Sequence, residues 1–153
     1  MVSKPKQLSD LVTQADVLFE KLIVANRGKS NSAFNRVHDR VTKVLDDIEN
    51  HGDAGRQAIE TWLGSDKPLV RYHAARRIIA WNSDVAIPVL GRLLVDPLPS
   101  HFTGYERFSI KSSANHSLYK HFGIRNFDRN SLIEPLKAYG IDLPRRPEQM
   151  WLD

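Results

Sequence analysis

The sequence contains no cysteine among its 153 residues. Disulfide bonds, thiolate metal ligands and a cysteine nucleophile are therefore excluded, and the absence fits a reducing compartment. No apolar run reaches the roughly 20 residues that a membrane-spanning helix needs, and the first residues, up to Gln14, lack the apolar core of a signal peptide. We therefore expect a cytoplasmic protein with no membrane partner.

The motifs of common enzymes are also missing. No Walker A, G-x-G-x-x-G or G-x-S-x-G pattern occurs. Among the six histidines, His116 and His121 are five residues apart and point in different directions on a helix, which does not suit a zinc pair. His38 and Asp39 are adjacent, but no second pair of metal ligands follows at a suitable spacing. We expect no enzymatic activity, no cofactor and no metal site.

The sequence has a small excess of basic over acidic residues. The formal net charge is +4, and it divides as about +1, +1 and +2 over residues 1–50, 51–100 and 101–153. A nucleic-acid-binding surface is normally a clustered basic stripe rather than a diffuse excess. The net charge alone is therefore a weak indication of a nucleic-acid partner.

What the sequence does have is apolar residues at helical spacing along most of its length. Two long helices, from about Ser9 to Ala25 and from about Ser32 to Asn50, are joined by a short polar turn, which predicts an antiparallel hairpin. Five further helices are expected near residues 53–64, 68–82, 84–96, 105–123 and 130–139. Within the helix at 105–123, we expect these side chains to face inward: Phe108, Ser112, Ala114 or Asn115, Leu118 and Phe122.

One stretch resembles a known family. The residues that carry the resemblance are the run Phe34-Asn35-Arg36-Val37-His38-Asp39-Arg40, the Gly52-Asp53 turn and the run Val70-Arg71-Tyr72-His73-Ala74-Ala75. From Phe34 to about Asp96 the chain resembles short bacterial HEAT-like proteins catalogued as a domain of unknown function. The resemblance implies an all-α fold, a short HEAT-like superhelix of stacked helix pairs. In that pattern Arg71 bonds a carboxylate, here Asp66 or Asp84.

These patterns together predict a single domain over residues 1–153. Its expected parts are a frayed N-terminus (1–7), a helical hairpin (8–51), a repeat core (53–96), a loop with C-terminal helices (97–140) and a tail (141–153). The loop from Asp96 to Gly104 contains two prolines and breaks the helical pattern. This loop is either an irregular connector between repeats or a functional segment, since exposed loops on a rigid scaffold often carry function.

The candidate binding residues are basic and aromatic side chains, most of them in the C-terminal half. They are Arg76, Arg77, His101, Phe102, Tyr105, Arg107, Lys111, Arg125, Arg129 and Trp151. Arginine and aromatic residues supply most hot spots of protein interfaces, and the same residue types bind phosphates and bases. The leading hypothesis is a non-enzymatic protein-binding module, such as a bacterial immunity or inhibitor protein that neutralises a toxin. The alternative is a nucleic-acid-binding protein with a basic groove.

Overall fold

The computed structural model describes residues 6–28 and 30–147, and within these residues the regular structure is all-α, as predicted. The described chain forms seven α-helices: α1 (Leu8–Arg27), α2 (Asn31–Glu49), α3 (Asp53–Thr61), α4 (Pro68–Ile78), α5 (Ser83–Val95), α6 (Gly104–Phe122) and α7 (Ile133–Lys137). Two 3₁₀ turns, Trp62–Gly64 and Arg129–Leu132, follow α3 and precede α7. The chain divides into two compact units between Gly64 and Ser65.

In the first unit, α1 packs against α2, and α2 packs against α3. Apolar residues at helical spacing form the core of this unit, and its central members are Leu18, Leu22, Val44, Leu45 and Ile48. Gly55 lies so close to the end of α2 that a Cβ atom there would overlap the carbonyl oxygen of Ile48. A glycine at this position is therefore what allows α3 to approach α2.

Trp62 completes the core of the first unit. Its ring meets that of Phe19 edge to face, with centroids 5.2 Å apart. The indole Nε1 donates a hydrogen bond of 2.9 Å to Oδ1 of Asp16. The one polar atom of this large side chain is thus satisfied, as burial of an indole requires.

In the second unit, α4 and α5 pack against each other and α6 packs on both. The core contains Ile78, Ile87, Leu90, Ile110, Leu118, Leu132 and Leu136. After α7 the chain continues over this unit, where Ile141 and Leu143 are buried. Gly91 provides the space for Ile141, because a Cβ atom at Gly91 would lie 2.9 Å from Cγ1 of Ile141.

The expected inward face of α6 is wrong in part. Phe108 is exposed and so is Ser112, whereas the buried side chains of α6 are Glu106, Ile110, Ala114, Leu118 and Tyr119. A capping box explains the buried glutamate: Thr103 Oγ1 accepts from the Glu106 backbone N–H, and Glu106 Oε1 accepts from the Thr103 N–H, each at 3.1 Å. Because its carboxylate accepts this hydrogen bond, Glu106 is buried. The buried residues that follow it at four-residue steps are Ile110, Ala114 and Leu118.

Two local expectations also change. Arg71 donates to the carbonyl oxygen of Ser65 at 2.7 Å, and not to Asp66 or Asp84. The expected helix at 130–139 is a 3₁₀ turn followed by the short α7. The turn begins early because the side chain of Asp128 accepts a hydrogen bond from the N–H of Asn130. The single-domain prediction and the HEAT-like superhelix stay predictions.

Candidate functional site

The basic excess of the protein lies entirely in its second unit. Residues 1–64 contain nine basic and nine acidic residues, whereas residues 65–153 contain thirteen basic and nine acidic residues. Dividing the sequence into thirds conceals this asymmetry because the boundary between the units falls within the middle third. The charge is therefore less diffuse than the division into thirds indicates.

Four of these basic residues form what we call the basic cluster: Arg107, Lys111, Arg129 and Arg146. Arg107 and Lys111 are one turn apart on α6, so their side chains share a helix face. Arg129 begins the second 3₁₀ turn. Arg146 is brought to the same place through Asn130, the neighbour of Arg129, whose amide exchanges two hydrogen bonds of 2.8 Å with the backbone of Arg146.

The cluster is held by neutral backbone oxygens. Arg107 donates from Nη2 to Pro99 at 2.7 Å and from Nε to Phe102 at 3.3 Å. Lys111 donates to Leu94 at 3.2 Å, near the end of α5.

The same pattern holds for Arg129, which donates to the carbonyl oxygen of Pro144 at 2.7 Å. In the part of the chain that the structure describes, none of the four cluster side chains forms an ion pair with a carboxylate. Backbone carbonyl oxygens fix the side chains of Arg107, Lys111 and Arg129 without neutralising their charges.

The electrostatic consequences are visible within the cluster. Burial lowers the pKa of Lys111, and the charges of Arg129, Arg146 and Arg107 lower it further. Burial and then Arg146 lower the pKa of Arg129, while Tyr119 acts in the opposite direction. Since like charges disfavour the charged form of each neighbour, the cluster would be stabilised by a bound anion.

Two polar residues extend the helix face that carries Arg107 and Lys111. Asn115 and Tyr119 follow at four-residue steps on α6. Oδ1 of Asn115 is buried and has no hydrogen-bond partner among the residues described. Burial and then Asp128 raise the pKa of Tyr119, against the opposing charges of Arg129 and Arg146. The Tyr119 hydroxyl is therefore a protonated donor at neutral pH.

Exposed aromatic rings accompany the cluster. Tyr105 and Phe108 on α6 are 59% and 69% exposed, and Phe127 is 67% exposed. Phe127 adopts φ = 53°, a left-handed conformation that is rare for a bulky residue. Its ring is parallel to that of His116 at 6.4 Å and edge-on to that of Tyr119 at 6.0 Å. These rings give the second unit large apolar groups on its surface.

The remaining predicted residues are more scattered. His101 is exposed, and its ring meets that of half-buried Phe102 at 5.1 Å in the loop that Arg107 fastens. Arg76 is exposed and Arg77 is half-buried on α4, and Arg125 is exposed after α6. The charges that act on Lys111 do not include these three arginines. Trp151 lies outside the described residues.

The sequence explains only part of the cluster. The four-residue spacing of Arg107 and Lys111 on a predicted helix places them on one face, whereas no pattern joins Arg129 to them. The four-residue steps from Arg107 to Tyr119 were a readable signal that would have added Asn115 and Tyr119. Arg146 has no such signal because its position depends on hydrogen bonds to Asn130, sixteen residues earlier.

Comparisons with known proteins add no relative. No protein-family model matches the chain, and no significantly similar curated protein or solved structure was found. Among the described residues, no group of three or more histidine, aspartate or glutamate side chains could hold a metal ion. No helix in the described ranges is both long and apolar enough to cross a membrane. The resemblance to short HEAT-like proteins stays a prediction.

Proposed function

We propose that this chain is a non-enzymatic protein-binding module and that its interface is a surface of the second unit. The observation that supports this proposal is the basic cluster, which has no carboxylate partner among the described residues and shares α6 with the exposed rings of Tyr105 and Phe108. Arginine and tyrosine are the residue types most enriched at interface hot spots. An acidic partner surface would supply the missing negative charge.

The compactness of the cluster favours a protein over a nucleic acid. Arg107 and Lys111 are a single turn apart, and the charges of Arg129 and Arg146 act on the same lysine. A nucleic acid presents a row of phosphates, so its binding surface is an extended basic stripe. The resemblance to short HEAT-like proteins favours one subclass, a bacterial immunity or inhibitor protein that neutralises a toxin partner.

Affinity purification with exposed aromatic variants tests the proposal. The wild-type chain is expected to co-purify with one stoichiometric protein partner, and Phe108→Ala is expected to weaken that complex by about tenfold or more, as loss of a hot spot does. Val85→Ala is the matched control, because Val85 is an exposed apolar residue of the same unit on α5. The absence of any stoichiometric partner, or equal binding by both variants, would contradict the proposal.

The concentration of the whole net charge in the second unit supports nucleic-acid binding as a second candidate. It predicts binding of a DNA oligonucleotide that weakens steeply with added salt, because bound phosphates release counterions. A fluorescence-anisotropy titration at low and physiological salt measures this. No binding at low salt, or an affinity that does not change with salt, removes this candidate.

A further inference from the structure

We propose that the basic cluster, together with Asn115 and Tyr119, forms a binding site for a single dianionic phosphoryl group. The inference deepens the proposed function, on which it rests, because it names the chemical group that the interface recognises. The group can be free phosphate or a phosphorylated side chain of the partner, and the two sources share the same chemistry.

The first argument is that the cations are positioned but not neutralised. Arg107 fastens the preceding loop, Lys111 binds the last turn of α5, and Arg129 binds the segment after α7. Each of these bonds ends on an uncharged carbonyl oxygen. Fastening three separate pieces of backbone requires hydrogen-bond donors, but it does not require the charges to lie close together. The convergence of the charges therefore needs a reason beyond folding.

The second argument is the supply of unused donors. A guanidinium group has several N–H donors in a planar fork, and an ammonium group has more than one. Arg129 uses one side-chain donor and Lys111 uses one in the described structure. The remaining donors suit the oxygens of a phosphoryl group, which arginine binds through two parallel hydrogen bonds. The protonated hydroxyl of Tyr119 adds a further donor.

The third argument distinguishes a phosphoryl group from a single carboxylate. A carboxylate would balance only one of the four cluster charges, whereas a dianion balances more of the repulsion around Lys111. Oδ1 of Asn115, on the same helix face, is a buried acceptor without a partner among the described residues. A ligand that carries a hydrogen-bond donor beside its negative charge therefore suits this face better than a bare carboxylate does. A protonated phosphate supplies an O–H, and a phosphorylated peptide supplies a backbone N–H next to its phosphate.

The test uses the full chain and inorganic phosphate at constant ionic strength. Saturable changes in amide chemical shifts are expected on α6 and near Arg129 and Arg146, with a rise in the unfolding midpoint. Lys111→Gln and Arg146→Gln should each weaken phosphate binding by about tenfold, which is the loss of one charge-assisted hydrogen bond. Arg146 is exposed, so its variant remains informative if the lysine variant folds poorly.

Lys120→Gln is the matched control because it removes the same charge from the exposed side of α6. An unchanged phosphate affinity is expected for this variant. A phosphate response that does not saturate, or one that all three variants lower equally, would overturn the site. Tighter binding of an oligonucleotide, with a salt dependence that requires several phosphates, would overturn the assignment to a single group.

A pair of short peptides, one with phosphoserine and one with serine, identifies the source of the group. Preferential binding of the phosphoserine peptide over inorganic phosphate assigns the group to a protein partner, and equal affinity assigns it to the free anion. Both results support the site. The two proposals can fail separately. If a protein partner binds in a way that depends on Phe108 but phosphate does not bind, the proposed interface stands and the phosphoryl site is wrong. If phosphate binds but no protein partner is found, the phosphoryl site stands and the proposed protein interface is wrong.

Discussion

The two units of this protein differ in the partners of their polar and charged side chains. In the first unit, acidic and basic residues are equal in number, and the buried indole of Trp62 donates to the carboxylate of Asp16. In the second unit, the cluster cations bind carbonyl oxygens and stay close to one another without a carboxylate. The first unit pairs its buried indole with a carboxylate, whereas the second carries electrostatic repulsion among cations that packing does not require. Repulsion of this kind marks candidate functional sites.

The largest expected effect tests the packing side of this comparison. Gly55→Ala in the first unit places a methyl group against the carbonyl oxygen of Ile48, where only backbone movement can relieve the overlap. We expect a loss of about 3 kcal/mol in the free energy of unfolding, measured by urea denaturation. Gly91→Ala in the second unit meets only the side chain of Ile141, so we expect a loss of about 1 kcal/mol.

Gly104→Ala is the control for both glycine variants because a Cβ atom there meets nothing within 4 Å. Its stability should be unchanged or slightly higher, since alanine favours a helix by up to about 1 kcal/mol over glycine. Equal losses for the variants at Gly55 and Gly91 would contradict the distinction between a backbone and a side-chain neighbour.

An intermediate effect compares the caps of two helices. Thr103→Ala removes half of a reciprocal capping box on α6 and leaves the buried Glu106 with one partner fewer. We expect a loss of about 1 kcal/mol by thermal or urea unfolding. Ser30→Ala on α2 removes two exposed and longer bonds, one from the Ala33 N–H and one with the Ser32 hydroxyl, each of 3.3 Å, so its loss should be smaller. A larger loss for the serine variant would show that the capping box adds nothing.

The smallest expected effect tests the repulsion among the charges of the basic cluster. Lys111→Met removes a charge that its neighbours repel but also a hydrogen bond to Leu94, so stability at neutral pH should change by less than about 1 kcal/mol. The pKa of Lys111 is lowered on folding, so its charged form opposes folding at neutral pH. Raising the pH towards the unfolded value of 10.5 relieves this, and the wild type should gain stability relative to the variant.

Urea denaturation of the wild type and the lysine variant from neutral pH to about pH 10 measures this difference. The raised pKa of Tyr119 acts in the opposite direction, but it is common to both proteins and largely cancels. Added salt should likewise stabilise the wild type more than the variant, because it screens the repulsion. If the difference in stability between the wild type and Lys111→Met does not change with pH or salt, the charges of the cluster do not repel one another measurably.

The fold was more predictable from the sequence than the site. Apolar residues at helical spacing identified α1, α2, α4 and α5 because each has a clear buried face, with Leu18 and Ile87 as typical members. The same reasoning located α6 and the buried Leu118, but part of its predicted inward face is wrong, because the capping box buries Glu106 and Phe108 faces outward. The pattern predicts a buried ring at Phe108 because large apolar side chains are most often buried. The hydrogen bonds between Thr103 and Glu106 instead turn a different face of α6 inward.

The site depends on the packing of distant residues, which no local pattern describes. Arg107 and Lys111 lie on one helix, so the sequence places them together. Arg146 joins them only because the amide of Asn130 holds its backbone. Sequence periodicity describes one element at a time, whereas this cluster is assembled from α6, a 3₁₀ turn and the segment after α7.

Gly91 has a consequence that reaches beyond helix packing. The missing side chain lets Ile141 settle on α5, and five residues later the same segment delivers the guanidinium group of Arg146. A methyl group at position 91 would press on the side chain of Ile141, which would have to shift to make room. The position of one of the charges that act on Lys111 therefore depends partly on an uncharged residue, on a helix that contributes none of those charges.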